Sequence, residues 1–160
     1  MSVHINIGSN IGASEALVAA AADRIRPLLP ERPMRVSRPY RSLPWGFRSD
    51  NEFVNVGVVF DGIQSWTDDS LMEFFNSLRS VEKSLGSTPH RNADGSYCDR
   101  DLDIDLIDAD GTVIDTPELV LPHPRMHLRP FVLEPIRDLD PLWHHPVCGK
   151  TAAEMLLSIK

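Results

Sequence analysis

Cysteine is scarce: the 160 residues contain two, Cys98 and Cys148. They are too few for a disulfide framework, and neither has a close cysteine neighbour of the kind that binds zinc or does redox chemistry. Both read as reduced thiols. Long apolar runs are also missing, since none approaches the ~20 residues of a membrane-crossing helix. The opening Met1-Ser2-Val3-His4 lacks the basic-then-apolar pattern of a secretory signal, so a cytoplasmic chain is expected. Excess positive charge is absent as well. The formal net charge of -7 disfavours a nucleic-acid binder, whose affinity comes from Lys and Arg neutralising phosphates. Any phosphate site must be local. Familiar phosphate loops are lacking: no G-x-G-x-x-G occurs, and Gly149-Lys150-Thr151 follows a histidine, His144, where a P-loop requires glycine.

What is present suits one domain spanning 1–160, with 42% hydrophobic residues to fill a core and no repeat or linker. Val3 to Ile7 alternates apolar and polar residues and stops at Gly8-Ser9-Asn10, a strand entering a loop. A helix is predicted from an N-cap at Ser14 to about Leu29, closed by Pro30 and Pro33. Met34–Tyr40 and Phe53–Phe60 read as strands. Leu71, Phe74, Phe75, Leu78, Val81 and Leu85 share one helical face within Trp66–Leu85, and Gly86 is a natural stop. Leu102–Ile107 is a further strand, followed by a short hairpin through Asp110-Gly111 to Val113-Ile114. The order β-α-β-β-α-β predicts an α+β, ferredoxin-like antiparallel sheet with two helices on one face. Shorter helices finish the chain, the last one started by the capping box Thr151-Ala152-Ala153-Glu154.

The densest chemistry lies in Asp99-Arg100-Asp101-Leu102-Asp103-Ile104-Asp105-Leu106. Alternate residues of a strand share a face, about 6.6 Å apart, so Asp103 and Asp105 can serve oxygen-seeking cations jointly. The pattern alone fits equally a solvated acidic face or a Mg²⁺ site. Arg100 beside these carboxylates suits a phosphorylated ligand whose charge is divided between metal and guanidinium. A second cluster, Pro122-His123-Pro124-Arg125-Met126-His127-Leu128-Arg129-Pro130-Phe131, sets cations beside prolines that restrain the backbone. It reads as a phosphate-contacting segment or as a surface loop with scattered basic groups. His123 and His127 with His144, His145 and Cys148 form a weaker zinc alternative without a recognised ligand spacing. Tyr40-Arg41-Ser42-Leu43-Pro44-Trp45-Gly46-Phe47 and Phe53-Val54-Asn55-Val56 offer aromatics around an amide, able to hold a planar heterocycle or simply to pack as core. Glu82, near the end of the long helix, either orients a nucleotide or is solvated.

Gly8-Ser9-Asn10, Tyr40-Arg41-Ser42 with Pro44 and Gly46, Phe53-Val54-Asn55, Arg100 leading into Leu102-Asp103-Ile104-Asp105, Pro122-His123-Pro124 and Arg129-Pro130-Phe131-Val132-Leu133 stand in an order and at separations that resemble the 6-hydroxymethyl-7,8-dihydropterin pyrophosphokinase family of folate biosynthesis. The resemblance covers nearly the whole chain. It implies that Asp103 and Asp105 hold two Mg²⁺ ions that bridge the phosphates of ATP, with Arg100, His123 and Arg129 on those phosphates and Glu82 on the nucleotide side. Arg100, Asp103 and Asp105 are then the catalytic set. Asn55 reads the pterin edge, Phe131 stacks on the ring, and Ser42, Leu43, Trp45 and Phe53 line the pocket. The implied reaction is attack of the pterin hydroxymethyl oxygen on the β-phosphorus of ATP, with AMP leaving. The implied partners are these small molecules alone, for a monomer with no membrane or nucleic-acid partner. The family places arginines after the second helix and a tryptophan before the Asp-bearing strand. In Ser87–Tyr97, Arg91 and Tyr97 are the residues of matching type.

Overall fold

The computed structural model describes residues 2–10, 14–42, 52–63, 65–85 and 102–159. Alternation in the first strand, β1 (Ser2–Ser9), sends Val3, Ile5 and Ile7 to one face and His4, Asn6 and Gly8 to the other. β1 lies inside the sheet. Two strands, β2 (Met34–Val36) and β3 (Tyr40–Ser42), pair with opposite halves of β4 (Phe53–Asp61), and β4 in turn pairs with β1. The far neighbour of β1 is β5 (Asp103–Ala109), so the order is β2-β4-β1-β5 with β3 beside β4. Each of these pairings is antiparallel.

Two helices cover the first face. α1 (Ser14–Ile25) buries Val18, Ala21, Ala22 and Ile25, and α2 (Asp68–Leu85) buries Leu71, Phe74, Leu78 and Val81. These side chains meet Val3, Ile5 and Ile7, the aliphatic row of β4 and Ile104 and Leu106 in one core. Thr67 and Ser70 cap α2 reciprocally, each hydroxyl accepting the other's backbone N–H at 2.9 and 3.0 Å. The C-terminal helices cover the second face. α3 (Pro130–Leu139) packs Val132, Leu133 and Ile136 against Ile107, Met126 and Trp143, with Ala152 and Met155 of α4 (Ala152–Leu157) behind them. The expected ferredoxin-like arrangement is present, and the capping box at Thr151 and Glu154 forms in both directions. No helix among the described residues is long and apolar enough to cross a membrane.

Three local expectations are corrected. The strand predicted over Met34–Tyr40 is two pieces, because Pro39 has no N–H for the ladder and Ser37 turns its hydroxyl to take the Gly57 N–H at 2.8 Å. The first helix stops at Ile25 and tightens into a single 3₁₀ turn, Arg26–Leu28, around Pro27. The segment after Asp110-Gly111 makes no hairpin with β5. Instead β6 (Ile114–Asp115) pairs with β7 (Val120–Leu121) as a separate ribbon.

Between His4 and Ile5 the register against β5 shifts, so that Ile107 and Asp108 together oppose one residue. Ile107 follows Asp103 and Asp105 onto the second face, and the bulge brings Asp108 to that same face, where the Trp143 Nε1–H and the Gly111 N–H reach it at 3.0 and 3.3 Å. Burial pushes the Asp108 carboxyl above its ordinary pKa. Asp140, at the end of α3, lies 3.1 Å from His4 Nε2, and that hydrogen bond holds its carboxyl below the usual carboxylate range. The tail of α3 is thereby tied to β1.

Candidate active site

Strand register dictates the layout. Across the second face, Asn55 of β4 lies opposite Gly8 of β1, which lies opposite Asp103 of β5. One row on, Gly57, Asn6 and Asp105 stand in line. Asn55 donates through Nδ2 to Asn6 Oδ1 at 2.8 Å, and Asn6 donates through its own Nδ2 to the Phe131 carbonyl at 3.0 Å. Gly8 makes room for this: a Cβ there would lie 2.5 Å from Asn55 Nδ2. Ser42 stands opposite Phe53 and Tyr40 opposite Asn55 at the β3–β4 pairing. Asn55 Oδ1 and Ser42 Oγ are both buried without a hydrogen-bond partner among the described residues. Leu43 and Trp45 lie outside the described residues.

At the other end of the rows, Asp103 and Asp105 point to the same face of β5 and are each partly exposed. Arg129 Nη1 is 3.7 Å from Asp105 Oδ2, and its guanidinium carbon is 5.7 Å from the centre of the Phe131 ring. Pro130 begins α3 between Arg129 and Phe131, which fixes both side chains at the helix entrance. A cleft of about 370 Å³ beside β5 is lined by Asp103, Asp105, Glu82, Arg79, Glu118 and His123. Glu82 accepts the Ile104 N–H at 2.8 Å, which brings the end of α2 onto the β5 edge. Arg100, Arg91 and Tyr97 lie outside the described residues.

His123 is anchored by its backbone N–H to the Ile107 carbonyl at 2.8 Å, and its Nδ1 accepts the Arg125 N–H at 3.2 Å. Burial, then the charges of Arg129 and Arg125, push its pKa from 6.5 down to about 4, against an opposing pull from Asp103. At neutral pH the ring is uncharged. With Nδ1 accepting, its proton sits on Nε2, so the ring is a hydrogen-bond donor and not a cation. Because folding depresses this pKa, the unfolded chain takes up the proton first as pH falls, and wild-type stability drops between about pH 6.5 and 4. His123→Gln should remove that component. Urea unfolding of both proteins at pH 7 and pH 5 is expected to show a smaller loss in the variant, and equal losses would refute a neutral His123.

Two carboxylates on one strand face, partly open to water, fit a Mg²⁺ site, because that ion keeps waters and takes phosphate oxygens beside one or two carboxylates. Among the described residues no three of His, Cys, Asp or Glu gather to hold a metal, so the zinc alternative finds no site. His145 Nδ1 instead accepts the N–H groups of Val147 and Cys148, each at 3.2 Å. The roles of Asn6 and of the Ile104 contact to Glu82 escaped sequence reasoning. The available signal was an amide in mid-strand two residues before a glycine.

The sequence model of the family described as "7,8-dihydro-6-hydroxymethylpterin-pyrophosphokinase (HPPK)" matches residues 4–141. A Porphyromonas gingivalis protein named 2-amino-4-hydroxy-6-hydroxymethyldihydropteridine pyrophosphokinase is 34% identical over 145 residues, covering 90% of this chain and 93% of its own. Proteins of the same name from Methylorubrum extorquens and Aquifex aeolicus are 30% and 27% identical, over 98% and 95% of this chain and 92% and 88% of theirs.

Proposed function

Because the chain belongs to the 7,8-dihydro-6-hydroxymethylpterin-pyrophosphokinase family, and is thus a diphosphotransferase, we propose that it moves the pyrophosphoryl group of ATP onto 6-hydroxymethyl-7,8-dihydropterin and releases AMP. The observation that carries this reading is the pairing of Asn55 and Asp103 with the same residue of β1. Two strand spacings separate them, about 10 Å, which leaves room for a bicyclic ring between a hydrogen-bond acceptor and a carboxylate pair. In this reading Asn55 Oδ1 accepts from the ring edge, Phe131 stacks on the ring, and Ser42, Leu43, Trp45 and Phe53 complete the pocket.

Asp103 and Asp105 would hold two Mg²⁺ ions, which when bound neutralise charge building on the phosphates. Arg129 reaches the phosphates from the α3 entrance, the Nε2–H of His123 donates to a phosphate oxygen, and Arg100 adds a guanidinium. Glu82 holds the nucleotide side of the cleft. The hydroxymethyl oxygen attacks the β-phosphorus and loses its proton. The bond from that phosphorus to the bridging oxygen breaks, and the oxygen leaves with AMP. Fixing both substrates in line supplies most of the acceleration. The same reading has one domain over 1–160, acting in the cytoplasm as a monomer on dissolved substrates.

AMP release from ATP and Mg²⁺, with and without the pterin, tests the proposal when combined with mass detection of the product. Pterin-dependent AMP and a diphosphorylated pterin are expected. Tight binding of both substrates without AMP would replace the enzyme with a binding module, and binding of neither would end the reading.

A further inference from the structure

We propose that Asn6 is a positioning residue that fixes which end of the Asn55 carboxamide faces the ligand, and so confines the site to rings offering an N–H donor at that edge. This rests on the assignment of Asn55 to the ring edge. The argument starts in α3. Pro135 has no N–H for the carbonyl four residues back, that of Phe131, and Asn6 Nδ2 donates to this carbonyl at 3.0 Å. A carbonyl only accepts, so Asn6 must turn its NH₂ towards α3 and its Oδ1 towards β4. Oδ1 also only accepts, so it takes an Nδ2–H of Asn55, 2.8 Å away.

Two amides are thus locked in series, the orientation of each dictated by the one before it. An isolated asparagine could present either its NH₂ or its carbonyl to a ligand. This one has its carbonyl left over: Asn55 Oδ1 is buried and has no partner among the described residues. Asn6 is itself only 4% exposed, so water competes poorly for its bonds. A lactam N–H or an exocyclic amine satisfies the leftover acceptor. A ring nitrogen without hydrogen, or a ring carbonyl, would set two acceptors against each other.

The test is a double-mutant cycle on pterin and ATP affinity, using wild type, Asn6→Ala, Asn55→Ala and the double variant, with thermal melting of each. Asn6→Ala is expected to weaken pterin binding and raise its KM about tenfold, the scale of a buried hydrogen bond left unmade, with ATP affinity unchanged. In the Asn55→Ala background the same change should alter pterin affinity less than about twofold, because the two residues act as one unit. Asn6→Ala should also narrow the preference for the pterin over an analogue with a ring acceptor at that edge. Equal losses in both backgrounds would mean that Asn6 supports only the fold, and the inference would fall while Asn55 kept its role. A wild-type protein that binds no pterin would instead sink the reading of the site itself. Should Asn6→Ala not fold, Asn6→Ser serves the same cycle, since a freely rotating hydroxyl cannot hold both amides in one polarity.

Discussion

Asp103→Ala and Asp105→Ala should each lower turnover by at least about two to three orders of magnitude, the scale seen when charge stabilisation of a transition state is removed. Both variants should still melt cooperatively, Asp105→Ala at a somewhat lower temperature because it removes the ion pair to the largely buried Arg129. Both carboxylates are partly exposed on the β5 edge and contribute nothing to the two cores. In the metal-free protein their removal relieves repulsion between like charges about 6.6 Å apart along a strand. Arg129 loses a partner at 3.7 Å in the Asp105 variant, so that protein should show the larger drop in ATP affinity. The measurements are AMP release under saturating substrates, Mg²⁺ dependence of rate and thermal melting. Wild-type rates in either variant would remove the metal assignment, and a collapsed melting temperature would show that the aspartates serve the fold.

Gly57→Ala should destabilise the protein by about 1–3 kcal/mol, the usual cost of forcing an extra group into a packed interior. A Cβ at Gly57 would stand 2.4 Å from Pro135 Cβ and 3.6 Å from its Cα, both rigidly attached to the α3 backbone. No rotamer change relieves that contact, so α3 must lift off the sheet. The Phe131 carbonyl moves with it, and the bond to Asn6 lengthens. Calorimetry should therefore record a melting temperature lower by several degrees, roughly 2–4 °C per kcal/mol at this chain length, together with weaker pterin binding. Adding Pro135→Gly, which deletes the opposing Cβ, should recover part of the loss caused by Gly57→Ala. If Gly57→Ala melts like wild type, the close approach of α3 is not as described.

Much of this was legible because local chemistry and tertiary environment agreed. The alternation of Val3, Ile5 and Ile7 and the helical spacing of Leu71, Phe74, Leu78 and Val81 each specify a buried face, and those faces form one core. Thr151 and Glu154 satisfy each other within four residues and need no distant partner. Asp103 and Asp105 share a face because strands alternate. The family resemblance supplied the site roles that spacing alone left open. What escaped depends on distant partners. The break at Ser37 rests on Gly57, twenty residues on, and β6 takes β7 rather than β5 as its partner. In the sequence Asn6 is only one polar member of an alternating strand, and its bond to the Phe131 carbonyl depends on the arrival of α3. The bulge opposite His4 changes the parity of β5 after Ile107, a shift that composition does not reveal.

Glu82 has a consequence for solubility. Among the described residues β5 ends the sheet order, and the outward N–H groups of a terminal strand are templates on which another chain can add. The Glu82 carboxylate occupies one of them, at Ile104, between the two aspartates, and brings a negative charge to the rim. A foreign strand would have to displace that bond and lie beside three carboxylates. The acidic edge that would receive magnesium and nucleotide in the proposed reaction therefore also works against strand addition by another chain.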